Sequence, residues 1–172
     1  MKIINTIVKY AAINANQVPL VSISITFMLN NIKLREAIEL EIERFNRLNY
    51  INASLSIIGK EIVINQKHGI IIFRILQEFF SNTIKHSKAS KLEVFLSYQE
   101  NTIEIIAKDN GVGFEEKYNE QIFHVFQRLN GRKEYAGTGI GLAVCRKVVT
   151  RHGGSIKTES APGKGSTFII TL

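Results

Sequence analysis

Between residues 34 and 48, apolar side chains recur at Leu34, Ile38, Ile42 and Phe45, at spacings of four, four and three. Arg35, Glu36, Glu39, Glu41, Glu43 and Arg44 fill the positions between them. That is the period of an amphipathic helix with one buried stripe. The chain ahead of it also reads as helical, with a break at Pro19, which pushes Val18 toward extended geometry. From residue 51 the period changes. Residues 53–58 and 61–65 read as short strands around Gly59, and 68–86 as a helix. Residues 91–98 and 102–108 read as strands joined by a tight Gln-Glu-Asn turn. Residues 115–132 mix short helix with loop. Residues 141–152 form a helix stopped by Gly153 and Gly154, and 155–160 with 166–172 form a last hairpin. Hairpins with helices to cover one face predict an α+β two-layer sandwich, preceded by an N-terminal helical segment. The expected division is 1–50 for the helical segment and 51–172 for the sandwich.

Composition narrows this picture only at its edges. A chain of 172 residues with 45% hydrophobic and 22% charged content is ordinary for a soluble domain. The single cysteine, Cys145, excludes an internal disulfide framework and a multi-cysteine metal site. The net charge of +7 is spread over scattered Lys and Arg residues. Without a basic run or a nucleic-acid module, it argues against nucleic acid and for a positive field that attracts a polyanion or an acidic partner. The most apolar stretch, residues 18–29, is too short for a membrane span, which needs roughly 20 apolar residues. Lys9 and Asn14 spoil a secretory signal. The expected localisation is cytoplasmic, as a chain or as the cytoplasmic piece of a larger one.

The candidate chemistry begins on the 68–86 helix. On a helical wheel Ile72, Ile75, Leu76, Phe79 and Thr83 share one face, and Arg74, Glu78, Asn82 and Lys85 the opposite one, with His86 at the border. A solvated polar face is the plain explanation. Against it, Asn is a poor mid-helix residue because its amide competes for backbone hydrogen bonds, and Asn82 lies one turn from Glu78, so the two can act on one bound object. An Asn carbonyl is a neutral oxygen ligand suited to Mg²⁺ held together with phosphates. Glu78 can orient or deprotonate an attacking group, and Lys85 can offset phosphate charge.

Two glycine motifs follow. Asp109 ends an apolar strand and precedes Asn110-Gly111-Val112-Gly113. D-N-G is common turn chemistry, but the same geometry lets backbone approach a ligand beside a carboxylate able to accept from an adenine amino group. Gly137, Gly139 and Gly141 lead straight into a helix, which turns backbone amides toward an anion. The motif lacks the Gly-Lys-Ser/Thr of a Walker loop and the flanking strand and acid of a dinucleotide fold. Phe123 and Phe126, between the motifs, read as core taken alone. Beside the glycines they would anchor a nucleotide lid, with Arg128, Arg132 and Lys133 in reach of phosphate.

Taken in order, these residues resemble the ATP-binding catalytic domain of two-component sensor histidine kinases, within the superfamily of gyrase, Hsp90, histidine kinase and MutL. The N box matches Gln77 to Ser87, the G1 box Asp109 to Phe114, the F box Phe123 to Leu129 and the G2 box Gly137 to Leu142. The tail segments Arg151 to Ile156 and Gly163 to Phe168 match too. The resemblance implies a Bergerat fold binding ATP and Mg²⁺. It implies Asn82 as the Mg²⁺ ligand, Glu78 as base or polarising group, and Lys85 and His86 on phosphate. Asp109 would read the adenine amino group, with Gly111 and Gly113 shaping that wall. Phe126, Arg128, Gly137, Thr138, Gly139, Gly141 and Leu142 would form the lid and phosphate contacts, and Thr167 would lie at the adenine end.

The N box looks like that of kinases with short dimerisation helices, whereas the F and G2 region looks like the phytochrome-related group. No phosphoacceptor motif surrounds His68, His86, His124 or His152, and residues 32–50 resemble the connector after an acceptor hairpin. The expectation is a truncated or split kinase. Its acceptor histidine would lie on another segment or chain and a response regulator would be the next partner. A membrane-bound sensor partner and a homodimer both remain compatible. The alternatives are a small ATPase or anti-sigma-type protein serine kinase of the same superfamily, and a non-enzymatic nucleotide-sensing module.

Overall fold

The computed structural model describes residues 33–47, 49, 51–127, 129 and 139–172. The predicted helical stretch 1–32 therefore lies outside the described residues. Helix α1, Leu34–Arg47, buries Leu34, Ala37, Ile38, Ile42 and Phe45, the face that the apolar period marked. Asn46 then fastens it to the sheet: its side chain donates to the Ala53 carbonyl and accepts from the Ala53 amide, both at 2.8 Å.

Strand β1, Asn52–Ile58, leads to helix α2, Gln66–Asn82, and on to β2, Lys91–Tyr98, β3, Ile103–Asp109, helix α3, Gly141–Arg151, β4, Ser155–Ala161, and β5, Gly165–Thr171. The five strands form one sheet in the order β1-β2-β3-β5-β4. The helices cover one face of it, so the sandwich has two layers, as expected.

Three expectations are corrected. The sheet is not all hairpins: β1 pairs with β2 in parallel, Asn52 opposite Lys91. Parallel neighbours need a crossover, and α2 supplies it. Residues 61–65 do not form a strand. Val63 is fully exposed, and Asn65 is instead the cap of α2, its Oδ1 accepting from the Lys67 amide at 2.9 Å. Finally, α2 does not continue as regular helix to His86. After Asn82 it widens into one π-helical turn, Thr83–Ser87, closed by Lys88 at φ 54°. Such turns are common at functional sites. Here the Ser87 hydroxyl donates back to the Thr83 carbonyl at 2.7 Å.

Between the layers lies an aromatic chain. Phe45 meets Phe80 edge-on at 5.3 Å, Phe79 meets Phe168 at 5.2 Å and Phe168 meets Phe123 at 6.2 Å. Phe123 belongs to the second of two short 3-10 turns, Glu116–Tyr118 and Gln121–Phe123. The Arg146 guanidinium lies over its ring at 4.0 Å and pairs with Glu120 at 2.8 Å. This packing docks the segment after β3 against α3, leaving an opening between α2, the end of β3 and the start of α3. No helix among the described residues is long and apolar enough to cross a membrane.

Candidate nucleotide-binding site

That opening is a cavity of about 450 Å³, within the roughly 300–1,000 Å³ typical of small-ligand sites. One wall comes from α2 and its π turn: Glu78, Asn82, Lys85 and His86 all line it. The other polar anchor is Asp109 at the far end of β3. Val112, Phe114, Ile122, Leu142 and Phe168 supply apolar surface between them, and Gly139 and Gly141 border it at the start of α3.

Asp109 is only 3% exposed. Burial raises its carboxyl above the ordinary carboxylate range, opposed by hydrogen bonds from the Gly111 and Ser166 amides and by the Thr83 hydroxyl. The Gly111 amide donates to Oδ1 at 2.8 Å. Thr83 Oγ1 is buried and makes no hydrogen bond of full geometry among the described residues. It is near enough to Asp109 to favour the charge but retains bonding capacity for a ligand. A carboxylate has about four lone-pair sites, so beyond these donors Asp109 keeps acceptor capacity for a ligand.

The loop after Asp109 is tied from both sides. Asn110 Oδ1 accepts from the Ser90 and Lys91 amides at 2.9 and 2.8 Å, and its Nδ2 donates to Ser90 Oγ at 2.9 Å. The Val112 amide donates to the Ser87 carbonyl at 2.7 Å, which links the π turn to the loop. Gly113 has φ 61°, and a Cβ there would collide with the Ala161 carbonyl, so this wall requires glycine.

Glu78 and Asn82 face each other across one helical turn, Asn82 Nδ2 donating to Glu78 Oε1 at 3.3 Å. This leaves the Asn82 carbonyl oxygen as an acceptor. The Glu78 carboxyl lies so close to the start of α3 that a Cβ on Gly141 would overlap it. Cys145, one turn further along α3, is buried, and burial and then the Glu78 charge push its thiol up to about 12.

The structure gathers Glu78, Asn82, Lys85, His86, Asp109, Gly113, Gly139, Gly141 and Leu142 around one cavity. Gly111 sits behind it and holds Asp109. Phe126 does not point in: it is 76% exposed at φ 64°, and its amide donates to the Gly139 carbonyl at 2.8 Å. Ile122, Gln127 and Leu129 line the cavity from this segment instead. The placement of Thr167 is corrected by strand alternation. Ser166 and Phe168 of β5 face the cavity, so Thr167 between them faces the other side of the sheet. Arg128, Gly137 and Thr138, with Arg132 and Lys133, lie outside the described residues. The sequence reading missed Thr83, Ser87 and Ser166 as site-formers. The register Asp109 to Ser166 was the signal that would have found the last.

A buried acceptor at one end and a carboxylate–amide pair at the other fit a nucleotide lying between them. Residues 68–172 match the family of histidine kinase-, DNA gyrase B-, and HSP90-like ATPases. The chain belongs to that family, and the domain it carries is of the sensor-histidine-kinase ATP-binding type. It is 40% identical over 105 residues to the phytochrome-like protein Cph1 of Synechocystis sp., which covers 60% of this chain and 14% of that protein. It is 34% identical over 104 residues to the sensor histidine kinase RppB of the same organism, 59% of this chain and 23% of RppB. The chain thus spans less than a quarter of the length of these relatives. In fold it is similar to the mycobacterial sensor histidine kinase MprB, with a TM-score of 0.62 at 23% identity over 82% of this chain and 94% of that one. Full-length ShkA in complex with AMPPNP gives 0.66 at 20% identity over 81% and 28%.

Proposed function

We propose that this chain is the catalytic part of a two-component sensor kinase. It would bind ATP in the cavity and transfer the γ-phosphoryl group to a histidine on another segment or chain, from which a response-regulator aspartate takes it. The reading rests chiefly on the Glu78–Asn82 pair facing the start of α3 at one end of a cavity whose other end is the buried carboxylate of Asp109. Asp109 accepts from the adenine amino group, and Thr83 and Ser166 flank it. Lys85 and His86 lie along the phosphates, and the α3 N-terminus around Gly141 adds its dipole. Glu78 polarises the incoming imidazole or takes its proton, within hydrogen-bond reach.

Asn82 offers a neutral carbonyl oxygen, and no group of three or more His, Cys, Asp or Glu side chains clusters among the described residues. That donor set fits Mg²⁺ held by Asn82 and by the phosphates themselves, where the ion would neutralise charge developing on the transferred group. The test is an intact acceptor hairpin incubated with the chain and Mg²⁺–ATP. The expected product is acid-labile phosphohistidine, lost in Glu78→Gln while ATP still binds. Acid-stable phosphoserine on a partner, or no transfer to any hairpin supplied, would overturn the proposal.

A further inference from the structure

We propose that His68 and His152 form a two-histidine clip for a divalent transition-metal ion such as Zn²⁺, Ni²⁺ or Cu²⁺, separate from the nucleotide site. His68 lies in the first turn of α2 and His152 caps α3. Their ring centroids are 5.7 Å apart with the planes at 88°. Two imidazoles that each reach about 2.0–2.1 Å to one ion hold their centroids roughly 5–6 Å apart. Edge-to-face ring packing spans the same range, so spacing alone does not choose.

The second ring nitrogen favours the ion. His152 Nδ1 lies 2.8 Å from the Val148 carbonyl. A carbonyl oxygen only accepts, so Nδ1 carries a proton, and the neutral form of this ring has its lone pair on Nε2. A backbone carbonyl fixing the tautomer and orientation of a histidine is how metal-binding imidazoles are prepared. His152 is exposed and His68 half-buried, so water can complete the coordination. Two imidazole nitrogens, with no third His, Cys, Asp or Glu clustered beside them among the described residues, suit borderline-soft ions over Mg²⁺ or Ca²⁺.

The consequence is mechanical. α2 carries Glu78 and Asn82, and α3 starts at Gly141 against the Glu78 carboxyl. An ion at the clip ties the two helices at the ends remote from the cavity and so fixes the wall on which the cavity depends. The inference does not rest on the kinase reading.

The test uses the full chain without a histidine tag, free of nucleotide, titrated calorimetrically with Ni²⁺, Zn²⁺ and Mg²⁺. Saturable one-to-one binding of Ni²⁺ or Zn²⁺ but not Mg²⁺ is expected, weaker by at least about tenfold in His68→Gln and in His152→Gln. In parallel, histidine NMR signals of the unaltered chain should respond at His68 and His152, not at His86 or His124. Absent saturable binding, an affinity in both variants equal to that of the unaltered chain, or a response confined to His86 or His124 would each reduce the pair to an edge-to-face stack.

Discussion

Gly141→Ala separates catalytic geometry from stability in a single substitution. A Cβ at this position would lie 2.9 Å from Glu78 Oε2 and closer still to Oε1 and Cδ. Ordinary carbon contacts begin at about 3.5 Å, so the carboxyl must retreat by at least about 1 Å. The retreating group is the end of a flexible side chain, not backbone. Gly141 has no positive φ, and a helical Gly→Ala change is neutral to favourable by up to about 1 kcal/mol. Folding should therefore be unchanged or slightly strengthened. The displaced carboxyl loses its contact with Asn82 Nδ2, now 3.3 Å, and leaves the position from which, on the proposed function, it would act. A misplacement of about 1 Å in a catalytic group is worth around 100-fold in rate. The assay is phosphoryl transfer to a supplied acceptor hairpin at saturating ATP, beside calorimetric ATP affinity and thermal unfolding. The expected result is a rate drop near that size, a small change in affinity and an unchanged or raised Tm. A transfer rate equal to the unaltered chain, with Tm preserved, would refute the role of the Glu78 position.

Asp109→Asn should weaken ATP binding about 5- to 150-fold, from about 1–3 kcal/mol for a mismatched buried partner. Its effect on the stability of the fold should depend on pH. Burial raises the Asp109 carboxyl, so the folded state binds its proton more tightly than the unfolded state. Its ionisation thus subtracts stability as pH rises above the unfolded value near 4. Denaturant titrations should show the variant gaining on the parent from pH 4 to 7; a constant gap would refute the burial account. Asn110→Ala removes three hydrogen bonds that pin the loop to Ser90 and Lys91. Their loss should cost about 1–3 kcal/mol, read as a lower denaturation midpoint with unchanged slope; no shift would mean the loop is held by its glycines alone. Tyr98→Phe should be neutral or stabilising, since this hydroxyl is buried without a partner among the described residues and burial pushes it up to about 12. A loss above about 1 kcal/mol would reveal a bond absent from the described contacts.

What could be read from the sequence followed from short-range rules. The buried stripe of α1, the buried face of α2 and the glycine stop after α3 each depend on spacing within one element, and each formed where the pattern put it. The errors arose where a distant element decided. Residues 61–65 alternate like a strand, but β1 already occupies the edge of the sheet beside β2, and Asn65 is used as a cap. Nothing local to β1 says that its partner is parallel; that follows from α2 crossing over. The π turn at Thr83–Ser87 continues the helical period of α2 in the sequence, and it widens where Ser87 bonds back to Thr83 while its carbonyl receives the Val112 amide from another part of the chain.

The site shows the same division. Asp109, Glu78 and Asn82 were legible because their residue types are costly where they stand. A carboxylate ending an apolar strand and an amide in mid-helix both need a reason. Ser166 carries no such signal: a serine in a strand is unremarkable until register sets it opposite Asp109. Choosing Thr167 in its place is an error of one residue, and in a strand one residue is a change of face. The buried charge of Asp109 and the half-buried Glu78–Asn82 pair thus carry their signal in the sequence itself. The neutral ones that complete the pocket, Thr83, Ser87 and Ser166, became visible only through the sheet register and the π turn that bring them to Asp109.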